Sequence, residues 1–215
     1  MTNLHQAQPV LTTGAPLDKA KAAMILVHGR GADARSILGL AGEFDQPDFA
    51  YLAPQATGNV WYPNRFLAPI ESNEPYLSSA LQAVGDVVAH VAQAGIAADK
   101  IILLGFSQGA CLALEFGARQ AQRYGGLVGL SGGLIGPEGT VFEYEGSLED
   151  TPVFLGCSDV DFHIPVERVH ETTAALQALG GNVTECIYPN MGHTINQDEI
   201  DFVGTMMAEL VQPSA

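Results

Sequence analysis

Positive charge is scarce in this sequence: 9 lysines and arginines stand against 24 aspartates and glutamates, a formal net charge of −15. A chain so short of cations offers no broad phosphate-binding surface, which argues against nucleic acid or an anionic membrane as its main partner. The acidity reads instead as a solvated surface. Cysteine is scarce too, and Cys111, Cys157 and Cys186 are too scattered for a disulfide framework or a zinc site. Long apolar runs are missing, so no integral membrane segment is expected. Met1 to Pro9 is polar and lacks the basic and apolar regions of a secretory signal. A reducing, cytoplasmic setting is the simple expectation.

What is present is enough chain for one core: 215 residues, read as a single domain over 1–215. Short apolar runs bounded by Gly and Pro alternate with longer helical segments. Strands are expected at 22–27, 49–53, 101–105, 127–130, 153–155 and 183–188, with 10–13 as an added edge. Helices are expected at 36–44, 76–94, 109–122, 166–179 and 197–211. This alternation means an α/β fold, a mostly parallel central sheet with helices on both faces. Pro75 at a first turn, Gly180-Gly181 after a last turn and Asn196 before Asp198 and Glu199 agree with these boundaries. Two connections, 56–75 and 131–151, are longer than a compact domain needs, and Trp61 and Phe66 in the first are candidate substrate-binding walls.

The densest signal is Ile101 to Ala110, where a buried-strand pattern runs into Gly105-Phe106-Ser107-Gln108-Gly109 and then a helix. A turn that tight lifts the serine side chain above the sheet, and its glycines remove Cβ atoms that would clash. The pattern alone is weak, because Gly129-Leu130-Ser131-Gly132-Gly133 matches it as well. Ala110 to Phe116 can form a buried helix after Ser107, whereas Gly132, Gly133, Gly136 and Pro137 cannot form one after Ser131. Ser107 is therefore the candidate nucleophile and Ser131 a loop serine at a strand end.

A serine hydroxyl needs a base to take its proton and a carboxylate to orient that base. With this elbow the order along the chain should be Ser, acid, His. The loop after strand 153–155 holds Asp159 and Asp161, and the loop after strand 183–188 holds Gly192-His193. His193 is the best base. Of the other histidines, His5 falls in an expectedly disordered start, His90 and His170 in helices, His28 before a glycine loop, and His163 beside the acids. Spacing alone does not separate Asp159 from Asp161. For an oxyanion hole, the backbone N–H of Gln108 comes with the elbow, and Val27-His28-Gly29-Arg30-Gly31 offers the N–H of Arg30, its side chain being read as solvent-facing. Losing one such donor typically costs about 3 to 4 kcal/mol.

Taken together, His28 to Gly31, Gly105 to Gly109, Ser158 to Pro165 and Gly192-His193 resemble the carboxylesterase and phospholipase family that includes acyl-protein thioesterases, within the α/β-hydrolase fold. The resemblance covers nearly the whole chain. In that family the acid loop reads Gly-Asp-x-Asp-Pro-x-Val-Pro and its second Asp is catalytic, which implies Asp161 and leaves Asp159 structural. Ser158 and Phe162 replace the Gly and the Pro here. The resemblance further implies oxyanion donors at Arg30 and Gln108 and no metal or cofactor, and the smallness of the chain leaves no room for a large cap domain.

The expectation is a serine hydrolase cleaving carboxylic esters of small to medium acyl groups through an acyl-enzyme on Ser107. An acyl thioesterase or lysophospholipase is the alternative within the class, and a ligand-binding protein of negligible turnover the alternative outside it. A dienelactone-type hydrolase would place Cys at the elbow, and Cys111 reads as core instead. The partner expected is a small-molecule ester or thioester; a homodimer is compatible with the sequence but not written in it.

Overall fold

The computed structural model describes residues 3–212. Strands β1 (Val10–Gly14), β2 (Ala22–Val27), β3 (Phe49–Pro54), β4 (Ile101–Phe106), β5 (Gly126–Leu130), β6 (Pro152–Ser158) and β7 (Asn182–Tyr188) form one sheet. Their order is β1-β3-β2-β4-β5-β6-β7. Only β1 runs antiparallel to its neighbour, with Val10 opposite Pro54. The other pairs are parallel, so the carboxyl ends of β2 to β7 share one edge of the sheet, where ligands of such folds bind.

Parallel strands are covered on both faces, which is why β2 and the first five residues of β4 are apolar or glycine and wholly buried. Successive side chains then serve opposite cores. Ala23, Ile25 and Val27 pack with α2 (Tyr76–Gln93), α3 (Gln108–Arg119) and α4 (Val166–Ala178). Ala22, Met24 and Leu26 pack with α1 (Ala34–Leu38) and α5 (Gln197–Val211). In the middle lies α3, buried from Gln108 to Ala118.

Two local expectations need correction. The helix expected at 36–44 is the short α1 followed by a 3-10 stretch, Gly39–Glu43. Asp33 starts α1 early by accepting the Ser36 N–H while the Ser36 hydroxyl returns to its backbone, and Gly39 and Gly42 cannot sustain the helix at about 1 kcal/mol apiece. His5 is no part of a disordered start either. It is buried, with Nε2 bonded to the Trp61 carbonyl at 2.9 Å and Nδ1 accepting the Thr57 N–H at 3.1 Å.

The long connection 131–151 is fastened by polar groups. Buried Arg168 donates to the carbonyls of Leu134, Gly136 and Pro137, and buried Glu115 accepts from the Ile135 N–H and the Tyr144 hydroxyl. These two buried charges are thus matched by hydrogen bonds, as burial requires.

Candidate active site

Between β4 and α3 the chain reverses at Ser107, whose φ of +56° is a region that non-glycine residues seldom occupy and that costs on the order of 1–3 kcal/mol. The neighbouring glycines permit it. A Cβ on Gly105 would lie 2.2 Å from the Gly109 carbonyl oxygen, and one on Gly109 would lie 2.0 Å from that of Val27. Helix and sheet therefore approach closely enough to leave the Ser107 hydroxyl exposed to a cavity, while its N–H is held by the Leu130 carbonyl at 3.0 Å.

That hydroxyl lies 2.9 Å from His193 Nε2, and His193 Nδ1 lies 2.7 Å from Asp161 Oδ2. With Nδ1–H donating to the carboxylate, Nε2 is left as acceptor for the serine proton. The Asp161 side chain is fully enclosed. Burial resists its ionisation, but hydrogen bonds from His193 and from the N–H groups of His163 and Ile164 outweigh that and hold its carboxyl below the usual range.

Asp159, the other candidate acid, points elsewhere: its Oδ1 accepts the Asn190 N–H at 2.7 Å. Ser158 Oγ similarly accepts the N–H groups of Val160 and Gly192. These bonds tie the loop after β6 to the loop after β7, so Asp161 and His193 are carried by one cross-linked unit. Ser158 thereby gives a physical role to one departure from the family motif. Phe162, the other departure, is 74% exposed, its ring 4.2 Å from that of His163.

The loop after β2 faces the elbow. A Cβ on Gly29 would press on the Phe106 carbonyl oxygen and the Ser107 Cβ, both at 3.3 Å, and Gly31 adopts a left-handed φ of +78°. Among the described residues neither the Arg30 N–H nor the Gln108 N–H has an acceptor, and Gln108 opens a helix where such donors are left free.

Behind this loop, His28 Nε2 accepts the Ala56 N–H, which leaves Nδ1–H to donate to the Gly29 carbonyl at 2.8 Å. Burial lowers the pKa of His28, and of His5, below that of free imidazole, keeping both neutral.

The cavity above Ser107 has a volume of about 280 Å³. Phe66, Phe106, Ile164, Tyr62 and Cys111 give it apolar wall; Arg30, Arg65, Gln108, His163 and His193 give it polar wall. Phe66 thus lies where a substrate wall was expected. Trp61 does not. It is wholly buried, with Nε1–H donating to the His28 carbonyl at 2.8 Å and its backbone N–H donating to Gln108 Oε1. A buried indole needs a partner for its N–H, and here that partner is the loop after β2 rather than a ligand.

The Arg30 side chain is exposed, as expected, and its guanidinium in addition donates to the carbonyls of Tyr62, Pro63 and Asn64. Among the described residues no group of three or more His, Cys, Asp or Glu side chains converges as metal ligands would.

Residues 9–210 match the model of the phospholipase/carboxylesterase family. The chain belongs to this family. A phospholipase/carboxylesterase from Dyadobacter fermentans has a crystal structure that superposes with a TM-score of 0.90 at 42% identity, covering 94% of this chain and 97% of that one. An acyl-protein thioesterase 1 from Gibberella zeae is 31% identical over 121 residues, 55% of this chain and 52% of the relative. Another from Debaryomyces hansenii is 27% identical over 228 residues, 92% of this chain and 94% of the relative. The chain spans about half the length of the first curated relatives it matches. As a member of that family it has the α/β-hydrolase sheet, with no large cap domain among the described residues. No helix among the described residues is long and apolar enough to cross a membrane.

Proposed function

We propose that this chain is a serine hydrolase of carboxylic esters, working as one domain in the cytoplasm. The observation that carries the reading is the unbroken row of hydrogen bonds from Ser107 through His193 to Asp161 at the floor of the cavity. Ser107 Oγ attacks the acyl carbon as its proton passes to His193 Nε2, and Asp161 stabilises the imidazolium through Nδ1–H. The negative oxygen of the tetrahedral intermediate is met by the N–H groups of Arg30 and Gln108. Collapse breaks the bond to the leaving alcohol, which takes the proton from His193. Water, deprotonated by the same imidazole, then attacks the acyl-enzyme and releases the acid with Ser107 restored.

A cavity of about 280 Å³ lies at the small end of ligand pockets, which run to about 1,000 Å³, and favours small to medium acyl groups. The names of the curated relatives favour a second reading, hydrolysis of acyl thioesters, which needs no change in the proton relay. Every residue invoked comes from one chain, so a homodimer is not a requirement of the chemistry.

Ser107→Ala should lower kcat on a short-chain aryl ester by about 10⁴-fold or more, and should abolish covalent labelling by a fluorophosphonate. Full activity in that variant would overturn the proposal.

A further inference from the structure

The cavity inverts the charge balance of the molecule. The whole sequence holds 24 acidic against 9 basic residues, yet the cavity lining contains Arg30 and Arg65 and neither Asp nor Glu. The two arginines are differently engaged. Arg30 is bound to three backbone carbonyls at 3.0, 2.8 and 2.6 Å, and so acts as a fastening of the 62–64 segment. Arg65 is exposed and makes a single long contact, Nη2–H to the His163 carbonyl at 3.4 Å. Among the described residues no carboxylate forms an ion pair with it.

A guanidinium carries N–H donors in a planar fork that matches a carboxylate, and most of the Arg65 fork is unused. Its place is equally specific. The His163 whose carbonyl it touches sets its ring edge-on to His193, with centroids 4.7 Å apart, so Arg65 stands at the mouth of the cavity beside the proton relay.

We propose that Arg65 selects esters carrying a second, ionised carboxylate, such as half-esters of short dicarboxylic acids. This rests on the ester-hydrolase reading and names the substrate class of that site. The net negative charge of the chain does not oppose it at contact range, because at physiological salt charges farther than about 8 Å are largely screened.

The test compares two substrates of equal length and the same leaving group, phenyl hexanoate and the monophenyl ester of adipic acid, with the full chain in 0.15 M NaCl. The adipate half-ester should be preferred in kcat/KM by about tenfold or more, mostly through KM. Arg65→Gln should lower that preference by about tenfold, Arg65→Lys should retain part of it, and Arg65→Glu should reverse it. Adipate should likewise inhibit phenyl hexanoate hydrolysis more strongly than hexanoate does.

A wild-type preference for the neutral ester, or a preference that Arg65→Gln and Arg65→Glu both leave unchanged, would overturn the assignment while leaving the hydrolase reading intact. Failure to hydrolyse either ester, with Ser107 also inert to a fluorophosphonate, would overturn both.

Discussion

Ser107 and Ser131 end adjacent parallel strands, sit inside the same Gly-x-Ser-x-Gly pattern and share left-handed backbones, with φ of +56° and +51°. One opens on a cavity beside an imidazole; the other is wholly buried, its hydroxyl without a partner among the described residues. The difference arises after the serine. At Ser107 the chain enters α3 at once, and the loops after β2, β6 and β7 gather round the turn. At Ser131 it passes through Gly132 and Gly133, which lie so close to Ala110 and Arg168 that a Cβ would meet them at 2.4 and 2.9 Å. Thus the pattern specifies a sharp exit from a strand, and only the following segment decides whether that exit becomes a site.

The sharpest way to break the comparison is to delete both hydroxyls separately. Ser107→Ala should remove activity by the large factor given above, whereas Ser131→Ala should leave kcat within about threefold. Next come the glycines that begin and end the patterns. Ala at Gly105 or Gly109 would drive a Cβ into backbone that cannot yield, and should cost more than about 3 kcal/mol in denaturant unfolding. Ala at Gly129 meets the tip of the Leu114 side chain at 2.6 Å, which can turn aside, and should cost about 1–2 kcal/mol.

The supports beneath the two turns should also respond oppositely to pH. Under Ser131, whose N–H is held by the Gly156 carbonyl, Glu199 packs against Gly156 with one oxygen unpartnered among the described residues. Burial pushes its carboxyl up to about 7. An acid with a raised folded pKa binds more protons when folded, so its contribution is present at low pH and is lost as pH rises from about 4.5 past 7. Glu199→Gln keeps the cap on Asn196 and should gain about 3 kcal/mol at pH 8 and little at pH 4.

Behind the Arg30 loop the sign reverses. His5 and His28 have lowered values, so the unfolded chain binds more protons and stability is lost as pH falls through 6.5. Thermal melts from pH 5 to 8 read both slopes. The smallest expected effect is on the stability of Ser131→Ala, which should lie within about 1 kcal/mol of the parent, on the stabilising side, because a buried idle hydroxyl is removed.

The strands were legible in the sequence because buried parallel strands must be apolar on both faces, and Ser107, Asp161 and His193 became candidates through chain order and the family motif. Asp159 and Asp161 could not be told apart by spacing, since they differ only in which side of one loop they face; the contrast lies in the Asn190 N–H that occupies Asp159. Trp61 and His5 were misplaced because their partners are 33 and 56 positions away and are backbone carbonyls, which carry no mark in the sequence. The same reason hid the fastening by Arg30. The short α1 reflects two glycines whose weight local apolar periodicity does not register.

The cross-links through Ser158 and Asp159 divide the site into two mounts. One carries Asp161 and His193 on β6 and β7; the other carries Ser107, Arg30 and Gln108 on β2 and β4, and the row of hydrogen bonds bridges them between Ser107 and His193. A division of this kind lets the binding wall diversify by drift or by design. On the proposed reading, a change at Phe66 would alter what enters while leaving the hydrogen bonds among Ser107, His193 and Asp161 in place, so substrate range and reactivity would form separable inheritances.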